Sequence, residues 1–111
     1  MSRSTTALIL LLAALLEAGG DAIIRTGIHA NEPWRRALLF AAATVILFLY
    51  GWTVNSPPWD FGRLLGLYVV FFFVISQFIS WLVFRQPPST TVLMGGALIV
   101  AGGIVISLAK T

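Results

Sequence analysis

The chain has 111 residues, of which 59% are hydrophobic and only 10% are charged, and its mean hydropathy is +0.95. Soluble domains carry about a quarter charged residues, so this composition excludes a water-soluble globular protein, and the absence of cysteine excludes a disulfide scaffold or a Cys-ligated metal site. The net charge of +3 comes from basic residues that stand singly or as one pair, which predicts membrane-edge anchors and no nucleic-acid partner.

Four apolar runs, separated by charges, prolines and turn residues, predict four transmembrane helices. A spanning helix needs about 20 mostly apolar residues to cross roughly 30 Å of hydrocarbon. The runs cover residues 5–24, 37–54, 64–84 and 91–109. Because the connections are short, we expect an all-α integral membrane protein whose residues 1–111 form one transmembrane domain.

The first span contains two acidic residues, Glu17 and Asp21, whereas the other charges lie in loops or at span edges. A carboxylate at membrane depth costs about 2.5–3.5 kcal/mol on insertion scales, so it is expected to face protein or a water-filled cavity. Glu17, Asp21 and Arg25 follow each other at intervals of four and therefore share one helix face. We predict that Glu17 and Asp21 bind protons or a cationic substrate. The alternatives are an ordinary Asp21–Arg25 ion pair and a purely structural contact of Glu17 between helices.

The same first segment also has the pattern of a signal peptide. Arg3 precedes an apolar run, and small residues follow at positions 18–20. Cleavage would remove Glu17 from the mature protein. We adopt the alternative, in which the segment is retained as the first span.

The third span mixes aromatic and polar side chains. Gln77 and Ser80 are three residues apart, and Gln77 and Trp81 are four apart, so the three can share a helix face. An aromatic wall beside a carboxylate would suit an organic cation, through stacking and cation–π attraction. We therefore add Tyr68, Gln77 and Trp81 to the predicted substrate site.

The fourth span carries a stripe of small residues. Gly96 and Gly103 are seven residues apart, as are Gly95 and Gly102. In lipid such a stripe permits close helix packing. We predict Gly96 and Gly103 as a dimer interface, with packing inside one chain as the alternative.

The basic residues at the two membrane edges are nearly balanced. Three lie on the side of the termini and four on the other side: Arg3, Arg63 and Lys110 against Arg25, Arg35, Arg36 and Arg85. A difference of one gives the positive-inside rule little influence, so insertion in both orientations is expected. Two oppositely oriented copies would form an antiparallel homodimer with both Glu17 side chains near one central site.

The sequence resembles the small multidrug resistance family of the drug/metabolite transporter superfamily, and its YnfA-type members most closely. The matching segments are Leu15-Leu16-Glu17-Ala18-Gly19-Gly20, Tyr50-Gly51, Phe61-Gly62-Arg63 with Tyr68, Trp81-Leu82-Val83, and Gly96-Ala97-Leu98-Ile99 with Gly103. The resemblance implies an antiparallel dimeric exporter of a bacterial cytoplasmic membrane, in which Glu17 alternately binds protons and a small cationic substrate. It also implies that Gly96 and Gly103 hold the dimer. The sequence differs from the YnfA-type pattern at Asp21, Ala22 and Arg25. It also differs at Val69-Val70, which replace a Gly-Gly pair.

Two alternatives remain beside proton-coupled export of organic cations or drugs. One is a membrane accessory or assembly protein that transports nothing and packs against a larger partner through its glycine stripe. The other is transport of a zwitterionic or lipid-linked metabolite, which Asp21 and Arg25 would suit. We expect neither an enzyme nor a bound metal or cofactor, because a single histidine, His29, and no cysteine leave no evident catalytic or ligand constellation.

Overall fold

A computed structural model describes residues 2–109. Within that range the chain forms four α-helices and no strand: α1 (Arg3–Ile28), α2 (Pro33–Val54), α3 (Phe61–Leu82) and α4 (Thr90–Ser107). All four are long and apolar enough to cross a membrane. The predicted class, an all-α integral membrane protein with four transmembrane helices, is confirmed.

All four helices begin before the apolar runs that predicted them; α1 also ends four residues later than its run, whereas α3 and α4 end two residues earlier, at Leu82 and Ser107. α1 has 26 residues and is therefore about 39 Å long at 1.5 Å per residue, and α2 begins four residues before the predicted span. The ends are set by capping rather than by hydropathy: the Ser2 and Ser89 hydroxyls accept from the amides of Thr5 and Val92, and Pro33 occupies the first position of α2. A helix thus continues through the headgroup layer until a cap ends it.

The core lies where α1 meets α2 and α3. Helix α1 packs against both neighbours, whereas α4 packs mainly on α3. The buried face of α1 is built from small side chains, with Ala13 and Ala14 fully buried beside Leu10. Small residues let helix backbones approach closely in lipid, so α1 sits between its two neighbours and its acidic residues reach both of them.

The outer surface of the bundle is apolar. Exposed side chains include Phe48, Leu98 and Val105, which are 67%, 76% and 69% exposed. Trp34 and Trp52 are also exposed, at the ends of α2, where tryptophan prefers the membrane–water interface. A surface of this kind is stable only in lipid, as the composition predicted.

The glycines of α4 divide between two sides of the helix. Gly96 and Gly103 are buried against α3, where an added Cβ would overlap the Phe73 ring and Val70 respectively. Gly95 and Gly102 meet nothing within 4 Å. The structure thus uses Gly96 and Gly103 for packing inside the chain, the alternative left open above, because their missing side chains make room for bulky residues of α3. Lys110, counted in the charge balance, lies outside the described residues.

Candidate functional site

The centre of the bundle holds a hydrogen bond between the first and third helices. The hydroxyl of Tyr68 donates to Oε1 of Glu17 at 2.8 Å. Tyr68 is only 4% exposed, and Glu17 is half-buried. Glu17 is the fifteenth of the 26 residues of α1, so the carboxyl group lies near the middle of the longest helix. The structure brings together the acidic and the aromatic residue that the sequence analysis favoured.

A second tyrosine, from α2, completes the surroundings of this carboxyl group. The ring of Tyr50 lies 5.6 Å from that of Tyr68, centroid to centroid, with an interplanar angle of 36°. On the other side, Tyr68 contacts Phe72 at 6.3 Å. The three rings form a continuous aromatic wall contributed by two helices. Such a wall offers π faces to a cation that pairs with Glu17.

The small face of α1 explains why the acid can reach this wall. Ala13 and Ala14 precede Glu17 by four and three residues, so they lie one turn away on the same face. Ala18, the next residue, is also buried. With no bulky side chain between them, α1 and α3 approach closely enough for Glu17 and Tyr68 to hydrogen-bond directly.

Asp21 lies one turn further along α1, at the border of a groove between α1 and α3. The groove has a volume of about 250 Å³, and its polar lining includes Asp21, Arg25, Ser76 and Ser80. The Asp21–Arg25 ion pair, the alternative left open above, is not formed among residues 2–109. Instead, the guanidinium carbon of Arg25 lies 5.4 Å from the centroid of the Phe84 ring. Asp21 is exposed, so its carboxylate is open to the groove.

Two of the predicted site residues lie elsewhere. Gln77 and Trp81 line a different, wholly apolar-walled cavity of about 270 Å³, together with Phe73 and with Leu93 of α4. They do share a helix face, as their spacing predicted, but that face is turned towards α4 rather than towards Glu17. Within the single chain the structure thus does not bring Gln77 and Trp81 together with Glu17. The spacing showed that they share a face and could not show which neighbour that face meets.

Tyr50 is the site residue that the sequence analysis missed. It appeared there only as part of a matching segment, although it and Tyr68 are the only two tyrosines in the chain and both lie within predicted spans. A hydroxyl-bearing ring inside an apolar run was the available signal. Ser80, which the spacing grouped with Gln77 and Trp81, lines the groove beside Asp21 instead, together with Ser76. Ser76 gave no comparable signal, because serine is common in membrane helices.

The donor set does not resemble a metal centre. Within residues 2–109 no three His, Asp or Glu side chains lie close enough together to hold a metal ion. The arrangement consists of one carboxyl group, a phenol hydroxyl bonded to it and a second aromatic ring. A carboxyl group in such surroundings can exchange a proton or pair with a positive charge.

Comparison with known proteins assigns the chain to a family. A family model described as "Uncharacterised BCR, YnfA/UPF0060 family" matches residues 3–111. The chain belongs to the YnfA/UPF0060 family. A relative from Herpetosiphon aurantiacus, named UPF0060 membrane protein, is 30% identical over 99 residues, which cover 86% of each chain. No solved structure matches the chain. This YnfA/UPF0060 protein is thus an integral membrane protein, and its activity is argued from the geometry around Glu17.

Proposed function

We propose that this protein is a proton-coupled exporter of small organic cations that works as an antiparallel homodimer. Glu17 would bind a proton and the substrate in alternation. The observation that carries the proposal is the hydrogen bond between Glu17 and Tyr68, formed beside the aromatic wall of Tyr50, Tyr68 and Phe72.

An acid in the middle of a membrane helix needs a partner whenever it is ionised. The hydroxyl of Tyr68 supplies one hydrogen bond to Glu17, and no Lys or Arg follows or precedes Glu17 on its helix face until Arg25, two turns away. One neutral hydrogen bond offsets only part of the cost of a buried charge. The ionised site would therefore gain from a cation, which the carboxylate attracts directly and the π faces of the tyrosine rings attract in addition.

Protonation gives the opposite outcome. A protonated Glu17 carboxyl group carries no net charge and therefore does not attract a cation. The proton and the cation thus compete for the same carboxyl group. Competition of this kind couples a proton gradient to export, provided that the site opens to each side in turn. Because α1 carries Glu17 and contacts both α2 and α3, a change of its ionisation acts at the junction of three helices.

A second copy of the chain would complete the pathway. Four helices enclose little space, and the groove beside Asp21 is open on one side, with exposed Asp21 and Arg25 on its border. Helix α4 packs mainly on α3 and leaves Gly95, Leu98 and Gly102 uncovered. This uncovered face supports dimerisation through α4, and the balanced basic residues support opposite orientations of the two copies.

The deciding experiment measures proton movement in proteoliposomes when candidate organic cations are added. For the wild-type protein we expect cation-dependent proton flux, and for Glu17→Gln we expect none, because glutamine cannot exchange a proton. Glu32→Gln is the matched control. Glu32 is exposed at the start of α2, so removing its charge should leave the flux unchanged.

Unchanged flux in Glu17→Gln would refute the role of Glu17. Loss of flux in both variants would show a general effect of acidic residues on insertion rather than a site. If no cation moves protons through the wild-type protein while the protein is folded, the exporter proposal fails and the accessory role becomes the better explanation.

A further inference from the structure

A second cavity lies at the end of α1 and the start of α2, away from Glu17. It has a volume of about 450 Å³ and is lined at the end of α1 by Arg25 and His29, and around the start of α2 by Asn31 and Arg35. Phe84, which follows α3, forms an apolar wall. We call it the basic cavity. Two arginines that are ten residues apart in the chain converge here because the connection between α1 and α2 is only four residues long.

No carboxylate lines the basic cavity as the structure describes it. The nearest acid along the chain, Glu32, accepts a hydrogen bond from the indole Nε1 of Trp34. Arg25 and Arg35 are both exposed, so their guanidinium donors are open to a ligand, whereas Nδ1 of His29 is hydrogen-bonded to the carbonyl oxygen of Arg25. The cavity lining therefore carries two guanidinium groups and no carboxylate, and each guanidinium group can bind an oxyanion bidentately.

The neighbouring arginine has a different role. Arg36 donates from Nη2 to the carbonyl oxygens of Ile28, at 3.3 Å, and Ala30, at 3.0 Å. These bonds satisfy the C-terminal end of α1 and hold the connection in place. Arg36 thus stabilises the connection beside the cavity, whereas its neighbour Arg35 lines the cavity itself.

The depth of the cavity identifies the source of the ligand. Arg25 immediately follows the first apolar run, and the four-residue connection is too short to leave the headgroup layer. Trp34, which is 62% exposed beside it, is typical of that layer. Anionic phospholipids present their phosphates at this depth, and basic pockets at the edge of membrane helices bind such headgroups.

We infer that the basic cavity is a binding site for the phosphate of an anionic phospholipid, held by Arg25 and Arg35 with the acyl chains descending past Phe84. The basic cavity shares Arg25 and Phe84 with the groove beside Asp21, whereas Glu17 does not line it, and binding of a lipid there does not depend on transport. It gives one end of the molecule, the end opposite the termini, a preference for anionic lipid.

The test counts lipids bound to the purified protein by native mass spectrometry. Phosphatidylglycerol is compared with phosphatidylcholine of identical acyl chains, and we expect the wild-type chain to retain one phosphatidylglycerol in preference. Arg25→Gln and Arg35→Gln should each weaken that binding at least about fivefold, because each removes a charged partner of the phosphate. Arg3→Gln, which removes the same charge at the opposite edge, should bind like the wild type.

Three results would overturn the inference. One is equal retention of the two lipids by the wild type, and another is an equal loss in Arg3→Gln, which would show a net-charge effect. A third is displacement of phosphatidylglycerol by millimolar inorganic phosphate, which would identify a site for free anions. Should a glutamine variant fail to fold, Arg35→Lys keeps the charge without the bidentate fork, and binding as tight as in the wild type would also contradict the proposed geometry.

Discussion

The hydroxyl of Tyr68 lies 2.8 Å from Oε1 of Glu17 and donates a hydrogen bond to it, although 51 residues separate the two in sequence. This bond ties α3 to the acidic residue of α1 at the centre of the bundle. In the proposed transport cycle, a proton or cation that binds to Glu17 would alter this contact between two helices.

Replacing Tyr68 by Phe should test the bond directly. The ring and its packing remain, and only the hydroxyl is lost, so the free energy of unfolding in detergent should fall by about 0.5–1.5 kcal/mol, the usual net contribution of an intramolecular hydrogen bond. Cation-dependent proton flux should fall as well, since Glu17 loses the group that positions it. Denaturant titration and the liposome assay give the two measurements.

Tyr50→Phe provides the matched control for that variant. The contact of Tyr50 with Tyr68 is made by its ring, which phenylalanine preserves. We expect a smaller change in both measurements than for Tyr68→Phe. Equal losses in the two variants would contradict the special role assigned to the Tyr68 hydroxyl.

The two sides of α4 should respond differently to larger residues. Gly103→Ala places a Cβ against Val70 of α3 and should lower the free energy of unfolding by about 1–3 kcal/mol, the usual cost of overpacking. In Gly102→Leu the new side chain points into open space, so the stability of the single chain should be unchanged. The yield of cross-linked dimer should fall. A dimer that survives Gly102→Leu intact would refute an interface on this face.

Neighbouring glycines of α1 offer a second contrast. A Cβ at Gly20 would lie 2.6 Å from Cδ2 of Leu47, whereas one at Gly19 meets nothing within 4 Å. Gly19→Ala should be neutral or stabilising by up to about 1 kcal/mol, because alanine favours the helix. Gly20→Ala must displace Leu47 and should therefore be the less stable of the two in a thermal melt. The reverse order would contradict the α1–α2 packing.

Gln77 and Trp81 should contribute little to substrate binding. Both line the cavity facing α4, so Trp81→Phe and Gln77→Ala should leave the apparent affinity for cations within about twofold of the wild-type value. Tyr50→Ala, which removes part of the aromatic wall, should weaken cation binding by several-fold, in line with the loss of a cation–π contact of about 1 kcal/mol. Titration of cation binding compares the three variants, and a larger effect of Trp81→Phe than of Tyr50→Ala would place the site elsewhere.

The membrane orientation can be tested with single cysteines, because the chain contains none. Asn31→Cys and Ser56→Cys place a thiol in connections at opposite membrane edges, and both positions are exposed. With impermeant reagents, each variant should be labelled from both sides of the membrane, as balanced basic residues predict. Labelling of each variant from one side alone would contradict the antiparallel dimer.

The sequence by itself showed that the protein lies in lipid, and it predicted the number of helices and their approximate positions. These follow from local properties: about 20 apolar residues must be helical to cross hydrocarbon, since the backbone has no other way to satisfy its hydrogen bonds there. It also singled out Glu17, because a carboxylate within an apolar run is costly wherever it lies. Hydropathy did not fix the helix ends, which depend on caps such as Ser2 and on Pro33.

Only the tertiary structure decided which helix faces meet. Periodicity grouped Gln77 with Trp81 correctly, and it grouped Gly96 with Gly103, but both pairs turn out to lie on the contact between α3 and α4. In lipid every face of an apolar helix is acceptable to the solvent, so hydropathy carries no information about which face is buried. Shape complementarity makes that choice, and it is this choice that joins Tyr68 to Glu17 and brings Tyr50 beside them.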